Sequence, residues 1–145
     1  MRDKISFYEM MGAEGDESML QVQSFSVSQT AAIMLTALSQ LKVYHWQTDS
    51  YARHMAFGAM YEALDVLVDR FTEVAMGKYG RPTFGVALQI KDTGKCKPEE
   101  FCDDMITILL ALSSKLPAQH CADLLNIRDE MVAEFNKLKY LLTLN

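Results

Sequence analysis

The chain has 145 residues, half of them hydrophobic, and a net charge of −5, which fits one domain of common size with enough apolar side chains to close a single core. An acidic balance without a Lys/Arg-rich tail excludes a general electrostatic attraction to DNA or to anionic membranes, so neither DNA compaction nor membrane binding is expected. Only seven glycines and three prolines occur, most of them between 77 and 98, and the long periodic stretches left between them point to an all-α protein.

The first stretch, MRDKISFYEMMGAEGDESML, lacks the apolar core of a signal peptide, and no run of 18 apolar residues follows anywhere. The expectation is a soluble protein of the cytoplasm. Residues 1–25 read as an arm whose cluster of Ile5, Phe7, Tyr8, Met10 and Met11 packs on the body of the protein or on a neighbour.

Helical spacing begins near Ser28, where Met34, Leu38, Leu41 and His45 follow at intervals of four, three and four, placing His45 on the apolar face. Thr48-Asp49-Ser50 stops this helix near Gln47 and caps the next. The second helix is predicted from about Tyr51 to Met76, ending at Gly77, with a core stripe of Phe57, Met60, Leu64, Leu67, Phe71 and Val74. Residues 78–97 read as a long crossover connection with a short strand or helical turn at 86–90. Pro98 with Glu99 and Glu100 opens a third helix that runs to Pro117. The fourth starts near Ala118 and carries Leu124, Met131, Phe135, Leu138 and Leu142 inward. Two helical hairpins joined by one long connection describe the ferritin-like variant of the four-helix bundle, here one domain over 1–145 with the bundle at 26–145. The three cysteines, Cys96, Cys102 and Cys121, show no CxxC pair and read as reduced structural thiols.

The chemistry-bearing residues concentrate between 45 and 73. On a helical wheel with Leu64 at zero, His54 lies at about 80°, Asp65 at about 100°, Asp69 at about 140° and Glu73 at about 180°. The imidazole borders the core while the acids climb away from it, toward solvent or another subunit. Such a stripe suits a solvated helix face. Combined with two histidines it also suits a metal, because imidazole nitrogen with carboxylate oxygen is a donor set for iron, manganese or zinc. Thiolates are absent from the cluster, which argues against a structural zinc finger.

At these residues the chain resembles the Dps-like mini-ferritins of the ferritin-like superfamily. Their pattern has His-Trp at the end of the first helix, a second His opening the second helix, an Asp four positions later, another Asp fifteen later and a Glu nineteen later. His45-Trp46, His54, Asp69 and Glu73 match it, and V-A-L at 86–88 is similar too. The resemblance implies an iron site between two subunits, with His45 and His54 as ligands from one chain and Asp69 and Glu73 from the other. It implies Trp46 as a neighbouring aromatic able to quench oxidation by-products. Two departures stand out. Gly58 occupies the position of the first acid, and the two histidines are nine residues apart where the family has twelve. One carboxylate fewer weakens binding of hard metals, so Glu62, one turn beyond Gly58, and Asp65 are alternates.

The function implied is Fe(II) binding and oxidation by a ferroxidase at a di-iron or mononuclear site, with iron storage and protection against oxidative stress. The expected assembly is a homo-oligomer, at least a two-fold dimer and up to a dodecameric cage. The competing expectation is a non-enzymatic ferritin-like structural or partner-binding oligomer with a degenerate metal site. The text H-W-x-T-x-S-Y-x-x-H and the Y-L-L-T-L ending are also similar to short phage and algal-virus proteins, which would place the chain in a host cytoplasm.

Overall fold

A computed structural model describes residues 24–144; the apolar cluster between Ile5 and Met11 lies outside the described residues. Four α-helices occur among them: α1 (Val27–Gln47), α2 (Tyr51–Tyr79), α3 (Pro98–Ala111) and α4 (Ala118–Leu141), with a 3-10 turn at Leu112–Ser114. Helices α1 and α2 form one antiparallel hairpin, α3 and α4 a second, and α2 packs across α4. The architecture is an all-α four-helix bundle.

The helix starts follow their caps. Ser26 Oγ accepts from the Gln29 N–H and Ser50 Oγ from the Arg53 N–H, each satisfying one of the amides a helix start leaves open. Pro98 enters α3 in its first turn, ahead of Glu99 and Glu100. The ends differ from the sequence-based expectation in two places. Helix α2 continues through Gly77 to Tyr79 and stops at Gly80, whose φ of 91° is a conformation that side-chain-bearing residues rarely adopt. Gly77 is an exposed interior position with open space where a side chain would be, and nothing there breaks the hydrogen-bond ladder. Helix α3 ends at Ala111 and unwinds through the 3-10 turn before Pro117, because a proline disfavours helical backbone at the residue before it.

The core is built on four rings. Tyr44 of α1 packs on Phe57 of α2 with ring centroids 5.4 Å apart, and on Phe101 of α3 at 5.5 Å; Phe101 in turn meets Phe135 of α4 at 5.8 Å. All four are essentially fully buried, so one ring chain passes through every helix. Met34, Leu41, Leu64, Met105, Leu109 and Leu124 fill the space around it. Leu67 and Val74, expected in the core stripe of α2, are only partly buried, while Val68 and Ala75 take the fully buried positions. Buried polar groups are satisfied: Arg128 of α4 donates through Nη1 to the Leu109 carbonyl at 3.0 Å and to Ser113 Oγ at 2.9 Å, while Nε reaches Asp129 at 2.7 Å.

The connection at 80–97 is tied to α1 by side chains. Gln40, fully buried, donates to the Lys91 carbonyl at 2.8 Å and accepts from the Lys91 N–H at 2.9 Å. Gln47 accepts from the Thr93 N–H and donates to Asp92, and the Tyr44 hydroxyl donates to the Cys96 carbonyl at 2.7 Å. At the other end the Thr83 N–H donates to Ser28 Oγ. No strand or helical turn forms at 86–90. Among the described residues, the backbone there has no partner strand to complete one.

Burial holds the Tyr44 hydroxyl far above its ordinary range and pushes the Cys102 thiol up to about 12. Cys102 and Cys96 should therefore stay unmodified by a thiol reagent at pH 8 in the folded protein and react on unfolding, as timed labelling with mass spectrometry would show. The Cys102 thiol ionises more readily in the unfolded chain, so its share of stability is present below about 9 and drains away as pH rises toward about 12. Replacing Tyr44 by Phe keeps the ring and removes the hydroxyl, leaving a buried carbonyl without that donor. We expect a loss of about 1–2 kcal/mol in denaturant unfolding, with the helical content unchanged.

Candidate functional site

The turn between α1 and α2 is three residues long, 48–50. Thr48 closes α1 through its own N–H to the Tyr44 carbonyl, and its Oγ1 accepts from the Ser50 N–H at 3.1 Å. So short a link leaves the last turn of α1 beside the first turn of α2, and the two histidines meet there. Their rings stack with centroids 3.8 Å apart and planes inclined by 19°.

Each ring is held by the backbone of the other residue's helix. His45 Nδ1 lies 2.8 Å from the His54 carbonyl, and His54 Nδ1 lies 2.9 Å from the His45 carbonyl. A carbonyl only accepts, so both Nδ1 atoms carry the proton and donate. In the neutral rings the lone pair is then on Nε2 in both cases. This is the tautomer that a metal-ligating histidine shows, its other nitrogen donating to a carbonyl or carboxylate. The bond from His54 has a structural use as well: the His45 carbonyl sits in the last turn of α1, where no downstream helical amide reaches it.

Gly58 explains one departure of the sequence from the mini-ferritin pattern. A Cβ at that position would stand 3.1 Å from His45 Cε1 and 3.3 Å from His45 Nδ1. The stacked ring takes the space that an acid at 58 would need, so the missing carboxylate and the close histidine spacing are two sides of one arrangement.

The other predicted site residues lie elsewhere. Trp46 points outward and is 71% exposed; it is adjacent in sequence and fills no interior space. Glu62, Asp65, Asp69 and Glu73 are all exposed along α2, and none of them forms an ion pair among the described residues. At 1.5 Å per residue, Asp69 and Glu73 are about 22 and 28 Å along the helix from His54. The imidazoles and the distal acids of one protomer therefore cannot share a centre, and no group of three His, Cys, Asp or Glu among the described residues stands close enough to hold a metal ion. Two further carboxylates, Glu130 and Glu134 of α4, are engaged: Glu130 pairs with Arg70, and Glu134 is 3.9 Å from Lys137.

Sequence reasoning found the two histidines but not their mutual clasp, nor the reason for Gly58. The signal was present in the pair His45/Gly58, a large ring and an absent side chain facing each other across a short turn. Arg128 and Gln40, both buried and both capping backbone groups from a distance, had no signal in spacing or composition.

The fold and this cluster define, among the described residues, a four-helix bundle with two stacked imidazoles at one end of its first hairpin. Among the described residues no helix is long and apolar enough to cross a membrane. The chain belongs to a family of unknown function, DUF5856, whose model matches residues 45–142 and so takes in both histidines and the acids of α2. It is similar to a protein of Enterobacteria phage T4 named as the uncharacterized 14.6 kDa protein in the mobD-ri intergenic region, at 28% identity over 112 residues, 77% of this chain and 84% of that protein. No solved structure matches the chain.

If His45 is wedged between His54 and Gly58, an added methyl group has nowhere to go. Gly58→Ala should cost about 1 kcal/mol in urea unfolding, although the same change in an open helix gains about that much. It should also move the imidazole resonances of both histidines in a proton–nitrogen NMR spectrum.

Proposed function

We propose that this protein is a ferritin-like homo-oligomer that takes up Fe(II) as its substrate between subunits. In this reading the Nε2 atoms of His45 and His54 come from one protomer, and the carboxylates of Asp69 and Glu73 come from a second. The observation that supports it best is the reciprocal Nδ1–carbonyl bonding, which leaves both Nε2 lone pairs available and fixes the rings that bear them. The exposure of the acids on α2, which form no ion pair among the described residues, agrees with ligands that complete a site on another chain. The two hairpins with one long connection agree with the ferritin-like arrangement.

With Gly58 in place of an acid, the carboxylate share of the donor set is smaller than in the mini-ferritin pattern. Imidazole-rich sites hold iron, zinc and manganese, with the balance shifted away from the hardest ions. Oxidation of bound Fe(II) by peroxide or oxygen is accordingly expected to be slow, each ion giving one electron to the oxidant. Storage of the ferric product inside a closed cage and protection from oxidative stress extend the same reading.

A second reading is favoured by a specific observation. The stack at 3.8 Å, closed on one side by Gly58, is a complete clasp between two helices, and it needs no metal to explain it. On this reading the protein is a structural or partner-binding oligomer and the histidines secure its hairpin.

Anaerobic Fe(II) titration of the wild type, His54→Ala and Asp69→Ala separates the two, with assembly mass recorded on the same samples. The iron reading expects binding in the wild type, at least tenfold weaker in either variant at unchanged mass, and oxidation on adding peroxide. Equal binding in all three leaves the clasp as the role of the histidines, and His54→Ala then costs only its hydrogen bond, about 0.5–1.5 kcal/mol of stability.

A further inference from the structure

The connection between α2 and α3 holds an unusual segment. Residues 84–90, F-G-V-A-L-Q-I, are exposed throughout and belong to no helix, strand or turn. Phe84, Val86, Leu88 and Ile90 alternate along it and are 56%, 68%, 49% and 53% exposed. In an extended chain, residues two apart share one face, so an extended backbone here would set the four in a single apolar row. The small residues Gly85 and Ala87 fall between them, and a side chain at 85 would meet open space. Among the described residues, no hydrogen bond reaches the backbone of 84–90. The two ends are fixed, by Thr83 on Ser28 and by Lys91 on Gln40.

An uncovered non-helical segment with alternating apolar side chains and open amides and carbonyls is a template for pairing with another strand. From this we infer that residues 84–90 pair antiparallel with the same residues of a second copy of this chain, about a two-fold axis through Ala87. The segment is uncharged from Pro82 to Ile90, and its flanks select the register. Centred on Ala87, Phe84 stands opposite Ile90 and Val86 opposite Leu88, all on one face. Lys91 then faces Thr83 and Arg81 faces Thr93, so no cation stands directly opposite another. A shift of the centre to Val86 sets Arg81 against Lys91, and a parallel in-register pair sets Lys91 against Lys91. Like charges directly opposite each other destabilise a strand pair, so both alternatives are disfavoured. The pairing is isologous, the arrangement a two-fold dimer requires.

The pairing is argued from the segment alone and stands whether or not the imidazoles bind a metal. It has a bearing on the site nonetheless. The segment runs along α1 from Ser28 to Gln40, and the Ser28 end is where Phe25 packs against Phe71 of α2, close in sequence to Asp69 and Glu73. A two-fold through Ala87 lays that end of one protomer beside the His45 end of the other.

The test uses the full chain. Ala87→Cys should cross-link to a covalent dimer under a mild oxidant, because the axis brings position 87 next to itself. Phe84→Cys should not, its nearest equivalent being about 20 Å away at 3.4 Å per residue. The native cysteines are buried and free and supply the background. In parallel, Val86→Lys/Leu88→Lys changes only exposed side chains and should lower the assembly mass at least twofold, by light scattering, while circular dichroism stays unchanged. Equal cross-linking at 84 and 87, or an assembly mass that the double lysine variant leaves untouched, overturns the pairing. So does a wild type that is monomeric until residues 1–23 are removed, which would assign the segment's cover to the chain's own N-terminal part.

Discussion

The arrangement of this protein depends on where one buried phenol is held. Tyr44 sits at the meeting of three helices: its ring lies against Phe57 and Phe101, and its hydroxyl is committed to the carbonyl of Cys96. A buried tyrosine needs a partner for its oxygen, and here the partner is the segment that leads into α3. The same side chain therefore fixes the first hairpin internally and positions the second hairpin against it. His45 is the next residue along, and its place at the end of α1 follows from the orientation that Tyr44 imposes.

From that anchor the histidine end of the molecule is built with short-range means. A three-residue turn, the Ser50 cap and a glycine opposite a ring are sufficient to bring two imidazoles into contact. The Nδ1 atoms complete the backbone bonding of the hairpin, and the Nε2 lone pairs take no part in it. The distal acids lie too far along α2 to join them within one protomer, so any centre that uses both sets has to be assembled from more than one chain.

Much of the fold was legible in the sequence because its signals were local. Apolar spacing located all four helices, and Ser50 and Pro98 marked starts to within a residue. The ends were less legible for a physical reason. Gly77 and Gly80 are equivalent as letters, and only the backbone angle at Gly80 identifies the one that stops the helix. The unwinding of α3 before Pro117 likewise reflects a restraint acting backwards along the chain. His45 and His54 were visible by type and position, and the exposure of the α2 acids by their place on the wheel. What spacing could not convey was the contact of the rings with each other, with the opposite carbonyls and with Gly58, since these depend on how sharply the turn folds. The connection was the least legible part. Its alternation of apolar residues suggests a strand, yet a strand exists only when another supplies its bonds.

Arg128 carries a consequence for how the second hairpin is assembled. Its guanidinium is buried on α4, and its Nη1 bonds to the Leu109 carbonyl near the end of α3 and to Ser113 just beyond it. Apolar ridges on two helices can often slide by one turn, about 5.4 Å, and still find contacts. Here such a slip would carry Nη1 away from its acceptors on the neighbouring segment while only the Asp129 pair travels with it, leaving buried donors unmet at a cost of about 1–3 kcal/mol. The arginine thus works as a detent: packing brings α3 and α4 together, and the charge admits a single sliding position.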